Sequence, residues 1–217
     1  MGGAAVLDGV KTLVLTGKIQ QRSAVGDYEA TATTTFLYPN KVRRDVVLPT
    51  GDTISSIYTP ERAWMEGALG NVDLPEEEKQ KLEVAAMRNL VTILKERSHA
   101  LFSVSLGPSA GVGGESRDVL VIRIGDYTTE AALDGQHRIV EFSWEAPISS
   151  PEARKERVRV RYSDFQLVEG LVYPFSSEAF SGEEKVSSFR LDSLRVNQPI
   201  PQELFSRPGP GSDTKKK

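Results

Sequence analysis

The sequence has no cysteine and only two histidines among its 217 residues. A chain without cysteine has no disulfide, no thiolate metal ligand, no thiol nucleophile and no lipid anchor of the lipoprotein type. Two histidines, His99 and His137, are too few for a His-rich metal site, and a serine triad would have to use one of them. We therefore expect a non-enzymatic protein whose fold needs no cofactor.

An excess of charge of one sign is also missing: 27 basic and 30 acidic residues are well mixed and give a formal net charge of −3. Without a dominant basic face, nucleic acid is not expected as the main partner. No run approaches the ~18 apolar residues of a membrane span. The first residues have neither the basic start nor the long apolar stretch of a signal peptide. If the protein is exported, a targeting segment is therefore expected upstream.

Most of the chain has the alternating pattern of antiparallel strands. The alternation is clearest in residues 28–38, where one face holds Tyr28, Ala30, Ala32, Thr34, Phe36 and Tyr38. Turn-forming residues separate such runs at the spacing of about 8 to 12 residues that is typical of barrels and sandwiches. The pattern predicts one domain of residues 1–205 with about ten or eleven strands, a sheet large enough to curl into a partial barrel. Residues 206–217 are predicted to form a disordered tail.

One long helix is predicted from Asp73 to about His99, between two groups of strands. Asp73 can serve as its N-cap, with Pro75 in the first turn and acidic residues after it. Its apolar residues cover an arc of roughly 200°, wider than the ~100° stripe of a helix that lies on one surface. The helix is therefore either packed from two sides or placed over an apolar cavity. The glycine-rich segment 107–115 precedes a strand and not a helix, so it is predicted to be a flexible loop and not a phosphate loop.

Short segments along the whole chain follow one another in a familiar order. The first set is Gly2-Gly3, Val10-Lys11-Thr12-Leu13 with Gly17, Tyr38-Pro39-Asn40-Lys41-Val42-Arg43, Arg62-Ala63-Trp64 and Leu133-Asp134. The second set is Tyr162-Ser163-Asp164-Phe165, Gly170-Leu171-Val172-Tyr173-Pro174, Asn197, Ile200-Pro201, Leu204-Phe205 and Pro208. In this order and spacing, the segments resemble the LolA/LolB-like superfamily of outer-membrane lipoprotein carriers.

The resemblance implies an α+β, mainly β fold: one strongly curved antiparallel sheet that forms an incomplete barrel, its concave face covered by a long helix and a short N-terminal helix. It also implies a periplasmic or envelope-associated protein that holds an acyl chain, a lipoprotein or another hydrophobic ligand in that face. Lipoprotein carriers have an Arg immediately before the Pro of the second-strand turn, which helps to hold the lid. Here that place is occupied by Tyr38, which departs from the pattern of the lipoprotein shuttles.

Three hypotheses follow. In the first, a non-enzymatic binding protein holds a hydrophobic ligand against a set of aromatic and aliphatic walls: Phe36, Tyr38, Trp64, Met87, Leu90, Leu94, Phe142 and Trp144. In the second, the chain is a protein-interaction module appended to a larger envelope zinc peptidase, with no ligand of its own. In the third, a cofactor-free enzyme uses the cavity, which requires a group such as Asp164 or His137 to face it.

Overall fold

The computed structural model describes residues 2–22, 26–68, 70–147 and 155–207. In these residues the protein is mainly β, with one antiparallel sheet of 14 strands. No helix within them is long and apolar enough to cross a membrane. The strands are β1 (Thr12–Gln21), β2 (Tyr28–Leu37), β3 (Lys41–Val47), β4 (Thr53–Tyr58), β5 (Ala63–Gly67), β6 (Gly70–Asp73), β7 (Phe102–Leu106), β8 (Ala110–Val112), β9 (Glu115–Ile124), β10 (Tyr127–Leu133), β11 (Ile139–Pro147), β12 (Lys155–Val168), β13 (Leu171–Ser181) and β14 (Glu184–Val196).

The sheet is a nearly continuous meander with one long-range pairing. Its order is β6-β5-β4-β3-β2-β1-β14-β13-β12-β11-β10-β9-β7, and β8 pairs with β9. The pairing of β1 with β14 joins the two ends of the chain and lies at the middle of the sheet. Because β6 and β7 lie at opposite edges, the sheet is an open half-barrel, as the sequence predicts.

Side-chain alternation sorts the sheet into two faces. In β1, Leu13 and Leu15 share one face, and the register places Phe36 of β2 opposite Leu13. Phe142 of β11 belongs to the same buried cluster as these residues, together with apolar residues of the helices. This helix-covered side is the concave face. A strand buried on one face must keep its register, because a slip of one residue would turn every side chain over.

The predicted long helix is instead two α-helices and a short 3-10 helix. These are α2 (Glu76–Met87), α3 (Leu90–Lys95) and the 3-10 turn Glu96–Ser98, in addition to the short N-terminal α1 (Ala4–Gly9). Asp73 is not an N-cap, because it ends β6 opposite Trp64; Pro75 takes the cap position. The break comes at Asn89, whose side chain accepts hydrogen bonds from the amides of Val91 (2.9 Å) and Thr92 (3.4 Å) and so starts a new helix.

This division explains the wide apolar arc. Leu90, Val91 and Ile93 of α3 are buried, whereas α2 has no buried residue. One continuous helix would have to be buried on two sides to hide all of these residues. Instead, α3 is buried at four consecutive positions, Leu90 to Ile93, and so on most of its circumference, whereas α2 is a separate helix without a buried residue.

The sequence predicts that the glycine-rich segment is a flexible loop, but part of it forms a strand. Ala110–Val112 pairs with the start of β9 to make a tight hairpin. Gly113 and Gly114 form its turn, with φ angles of 63° and 85° that residues other than glycine rarely adopt. The phosphate-loop interpretation stays excluded, because β9 and not a helix follows the glycines.

The C-terminal segment closes the opposite, convex face of the sheet. Its 3-10 helix Gln202–Phe205 brings Phe205 against Ile57 and Trp64 in a separate apolar cluster. Arg207 still forms an ion pair with Asp73 at 2.8 Å. The tail predicted for residues 206–217 lies, from 208 onward, outside the described residues.

Candidate functional site

Seven of the eight predicted wall residues lie together on the concave side. Phe36, Leu90 and Phe142 are buried there, and the other four are partly buried against the same cluster: Tyr38, Met87, Leu94 and Trp144. The rings of Phe36 and Tyr38 stack at 6.0 Å, and Phe142 meets Tyr162 edge-to-face at 5.8 Å. The sheet and both major helices therefore contribute to one apolar interior.

Trp64 does not join these residues. It pairs with Ile57 of β4 on the convex face, where it is fully buried under the C-terminal segment. Its indole nitrogen donates a hydrogen bond to Glu66 at 2.9 Å. The apolar character of Trp64 reflects this second small core, so the structure separates it from the wall to which the sequence assigned it.

Helices α1 and α3 are firmly attached to each other at one end of the concave face. The Lys95 ammonium donates hydrogen bonds to the carbonyl oxygens of Leu7 and Val10, both at 2.9 Å, and lies 5.1 Å from the centre of the Tyr38 ring. Arg97 reaches Asp8 of α1 at 2.6 Å. Tyr38 is thus a partner of the cation that holds the helices together.

Tyrosine hydroxyls deep in the interior show how apolar this space is. Burial raises the pKa of Tyr173 to about 12, and its hydroxyl accepts a hydrogen bond from Asn89 at 3.1 Å. Burial also raises the pKa values of Tyr38 and Tyr162. In each case the low-dielectric surroundings disfavour the phenolate.

Helix α2 is held more loosely than α3. No side chain of α2 is buried, and Lys81 forms its ion pairs within the helix, with Glu77 and Glu78. Its contacts with the sheet are near β4 and β5, where burial and the neighbouring Glu83 raise the pKa of Tyr58 to about 12. Since little apolar area anchors it, α2 is the part of the cover that can move at the lowest cost.

The space beneath the helices is almost filled. The cavity at the junction of α2 with β9 and β10 has a volume of about 10 Å³, room for about one water molecule. Its walls are Val84, Met87, Arg88, Ile93, Ile122, Ile124, Tyr127 and Thr129. Ligand pockets usually measure about 300–1,000 Å³. At this junction, therefore, the side chains leave no room for an acyl chain.

Two arginines that sequence reasoning did not select face the concave side. Arg88, between α2 and α3, lies over the Trp144 ring at 4.4 Å and donates a long hydrogen bond of 3.5 Å to Thr129. Burial lowers its pKa to about 10. Arg44 on β3 shares the face of Phe36, and the surrounding protein lowers its pKa although the side chain is exposed to solvent. Arg44 therefore lies on the concave face with access to solvent.

The alternation of β3 is the signal that could have found Arg44. Arg43 and Arg44 are adjacent on β3, so their side chains point to opposite faces. Arg43 on the convex face is only 15% exposed and pairs with Asp45 (2.9 Å) and Glu66 (3.1 Å). No comparable pattern singles out Arg88. The sequence predicts one continuous helix there, and Arg88 is one of several polar residues in that helix.

A second, open depression of about 390 Å³ lies at the far ends of β1, β2 and β14. Its walls are largely polar and include Gln21, Glu29 and Lys185. The charges nearby are paired: Arg22 contacts Glu184 at 2.6 Å. Because polar and charged side chains make up most of its lining, this depression suits an acyl chain poorly.

The groups required by the enzyme hypothesis do not face the interior. His137 lies in the turn after Asp134 and Asp164 at an irregularity of β12, and both are exposed. No group of three or more potential metal-ligating side chains occurs in the described parts of the chain. The hypothesis of a cofactor-free enzyme thus loses the residues on which it was based.

Comparison with solved structures shows the fold, whereas comparison of the sequence with protein families and curated proteins finds no match. No protein-family model matches the sequence, and no curated protein matches it either. Among solved structures, a domain described as an outer membrane lipoprotein-sorting protein from Vibrio parahaemolyticus superposes with a TM-score of 0.61 at 7% identity, over 93% of this chain and 92% of that one. A LolA superfamily protein from Nitrosomonas europaea has a TM-score of 0.62 at 10% identity, over 92% and 91% of the two chains.

A DUF1329 family protein from Desulfovibrio piger is similar to the same extent, with a TM-score of 0.63 at 10% identity over 93% of this chain and 92% of that one. In all three the similarity spans nearly the whole of both chains. The chain thus has the fold of LolA-like proteins, an open half-barrel with helices on its concave side. At these identities the comparison shows the fold and leaves the ligand to be argued from the residues.

Proposed function

We propose that this protein is a non-enzymatic binding protein of the cell envelope, which holds a lipid-like ligand in the concave face of its sheet. The observation that carries the proposal is an apolar concave face whose cover includes a helix, α2, with no buried side chain. The similarity of fold to a lipoprotein-sorting protein domain supports it. The proposal includes a periplasmic location, which the same similarity of fold supports.

Ligand entry requires a rearrangement, because the cavity of about 10 Å³ is too small for an acyl chain. Movement of α2 away from β9 and β10 would open the space next to Met87 while α1 and α3 stay in place. Each methylene buried by the ligand contributes about 0.8 kcal/mol. A chain of about fourteen methylenes would therefore supply roughly 11 kcal/mol towards the cost of association and of moving the helix.

The two tryptophans provide a direct test. The variant Trp64→Phe leaves Trp144, on the proposed wall, as the only tryptophan, and the variant Trp144→Phe leaves Trp64 on the convex face as the matched control. On titration with palmitate we expect the emission of Trp144 to change and that of Trp64 to stay constant. Native mass spectrometry should show a one-to-one adduct. The proposal is refuted if no adduct and no change in emission are observed at any ligand concentration.

A protein-interaction module without a ligand is the second candidate. It is favoured by the filled interior and by the edge strand β7, where Val104 is 47% and Leu106 81% exposed. An edge strand with free backbone groups can accept a strand from another protein. An upstream peptidase in the same reading frame, together with no ligand uptake in the tryptophan experiment, would favour this function over the carrier.

A further inference from the structure

The concave face carries two arginines without an acidic partner. On the convex face, by contrast, the two partly buried arginines Arg43 and Arg161 are neutralised: Arg43 pairs with Asp45 and Glu66, and Arg161 with Glu141 at 2.8 Å. In the part of the chain that the structure describes, neither Arg44 nor Arg88 forms an ion pair. Partly buried charges are normally paired, because desolvation without a partner is costly.

Arg88 has unused hydrogen-bonding capacity. Its Nε atom makes the long bond to Thr129 and its guanidinium lies over the Trp144 ring. A guanidinium carries five N–H donors, and among the described residues the four on the two terminal nitrogens of Arg88 have no acceptor. Glu83 of α2 interacts with Tyr58 of β4 and Tyr127 of β10, and it forms no ion pair with Arg88.

Arg44 lies on the other limb of the curved sheet. Its cross-strand neighbours are Thr34 of β2 and Ser56 of β4, which have small hydroxyl side chains and no negative charge. Its own side chain reaches solvent while the surrounding protein lowers its pKa. Among the described residues, Arg44 is therefore a second cation on the concave face without an ion pair.

We propose that the ligand is an anionic amphiphile whose carboxylate or phosphate group is bound by Arg88, with Arg44 as a second cation for the same groove. The inference rests on the proposed function and adds the chemical class of the ligand. The two terminal nitrogens of Arg88 suit an oxyanion with two acceptor oxygens, bound by parallel hydrogen bonds. Arg88 and Met87 both line the small cavity under α2, so a headgroup held by Arg88 would leave the alkyl chain directed among the apolar walls.

Displacement of a fluorescent probe tests the charge requirement. The probe is dansylaminoundecanoic acid, and the competitors are dodecanoate, dodecyl phosphate and dodecanol, which share one alkyl length and differ in the headgroup. We expect the wild type to bind the better anion at least about tenfold more tightly than dodecanol. Whichever of the carboxylate and the phosphate binds more tightly identifies the headgroup.

Three variants assign the effect. Arg88→Gln should bind the anions about tenfold or more weakly and dodecanol as the wild type does, because only the charge-assisted hydrogen bonds are lost. Arg44→Gln should also weaken the binding of the anions, but by a smaller factor. The matched control Arg190→Gln, an exposed arginine on the convex face, should change nothing.

The outcomes separate this inference from the proposed function. If the wild type binds neither the anions nor dodecanol, the proposed function fails. If it binds dodecanol as tightly as the anions, or if Arg88→Gln keeps the preference for anions, the function stands and the inference fails. Unchanged binding of dodecanol by the variants shows that they are folded, which excludes unfolding as the cause of a loss.

Discussion

Replacement of Phe142 by alanine tests whether the interior is a packed core in solution. Phe142 is fully buried in the principal apolar cluster and meets the Tyr162 ring at 5.8 Å, with the planes at 87°. Truncation of a buried phenylalanine costs about 3–5 kcal/mol, because apolar contacts are lost and a cavity remains. An edge-to-face pair accounts for about 0.5–1.5 kcal/mol of this cost.

Equilibrium unfolding in urea measures the effect. We expect Phe142→Ala to lower the free energy of unfolding by about 3–5 kcal/mol at an unchanged slope with urea, a large part of the ~5–15 kcal/mol typical of a domain. Phe142→Leu, which keeps most of the volume, should cost less than about 1.5 kcal/mol. Phe180→Ala is the control on the convex face, where the ring is only half-buried and lies 5.0 Å from the Arg161 guanidinium. Its loss should cost about 1 kcal/mol, the magnitude of a cation–π contact.

The reasoning fails if Phe142→Ala costs less than about 1 kcal/mol. Such a result would mean that the side chain is not packed against its neighbours in solution, and that the helices stand away from the sheet without ligand. It would also remove the need for α2 to move before a ligand enters.

Three further predictions concern other parts of the fold. Gly17→Ala should destabilise the protein by about 1–3 kcal/mol in thermal unfolding, because the new Cβ would lie 2.2 Å from the carbonyl oxygen of Arg190. The control Gly111→Ala should be nearly neutral, because nothing lies within 4 Å of its new Cβ. Asn89→Ala should cost about 1 kcal/mol through loss of the α3 cap, and hydrogen exchange should speed up in α3 first; equal protection in both proteins would contradict this role. The free energy of unfolding should fall between about pH 10 and about 12, because the folded protein raises the pKa of Tyr173 and holds a proton that the unfolded chain releases; Tyr173→Phe should make this fall shallower, and an unchanged slope would refute the assignment.

Strand alternation was the strongest signal in the sequence. The face predicted for residues 28–38 is the concave one, with Ala30, Ala32 and Phe36 buried there. The signal is strong because each strand places successive residues on opposite sides. A strand that is buried on one side therefore alternates between apolar and polar residues. The capping pattern around Asp73 misled for a related reason: pairing of Gly70–Asp73 with β5 outweighed a local preference for a helix start.

Alternation does not say which face of a strand will be concave. Trp64 and Phe36 both belong to apolar faces, but the C-terminal segment covers one and the helices cover the other. The same limit applies to Arg43 and Arg44, adjacent residues of which one is ion-paired on the convex face and the other projects into the groove. These assignments depend on contacts between residues that are distant in the chain.

The sequence by itself determined a mainly β chain, a sheet too large to stay flat, the lack of thiol and His-rich chemistry, and a set of apolar residues of which seven meet in one interior. These properties follow from composition and local periodicity. Only the tertiary structure decided that the helix breaks at Asn89, that no side chain of α2 is buried, that the cavity beneath α2 has room for about one water molecule, and that within the described residues Arg44 and Arg88 face the concave side without an ion pair. Long-range packing sets these features, since the same local sequence can be buried, paired or left free depending on which part of the chain comes to lie against it.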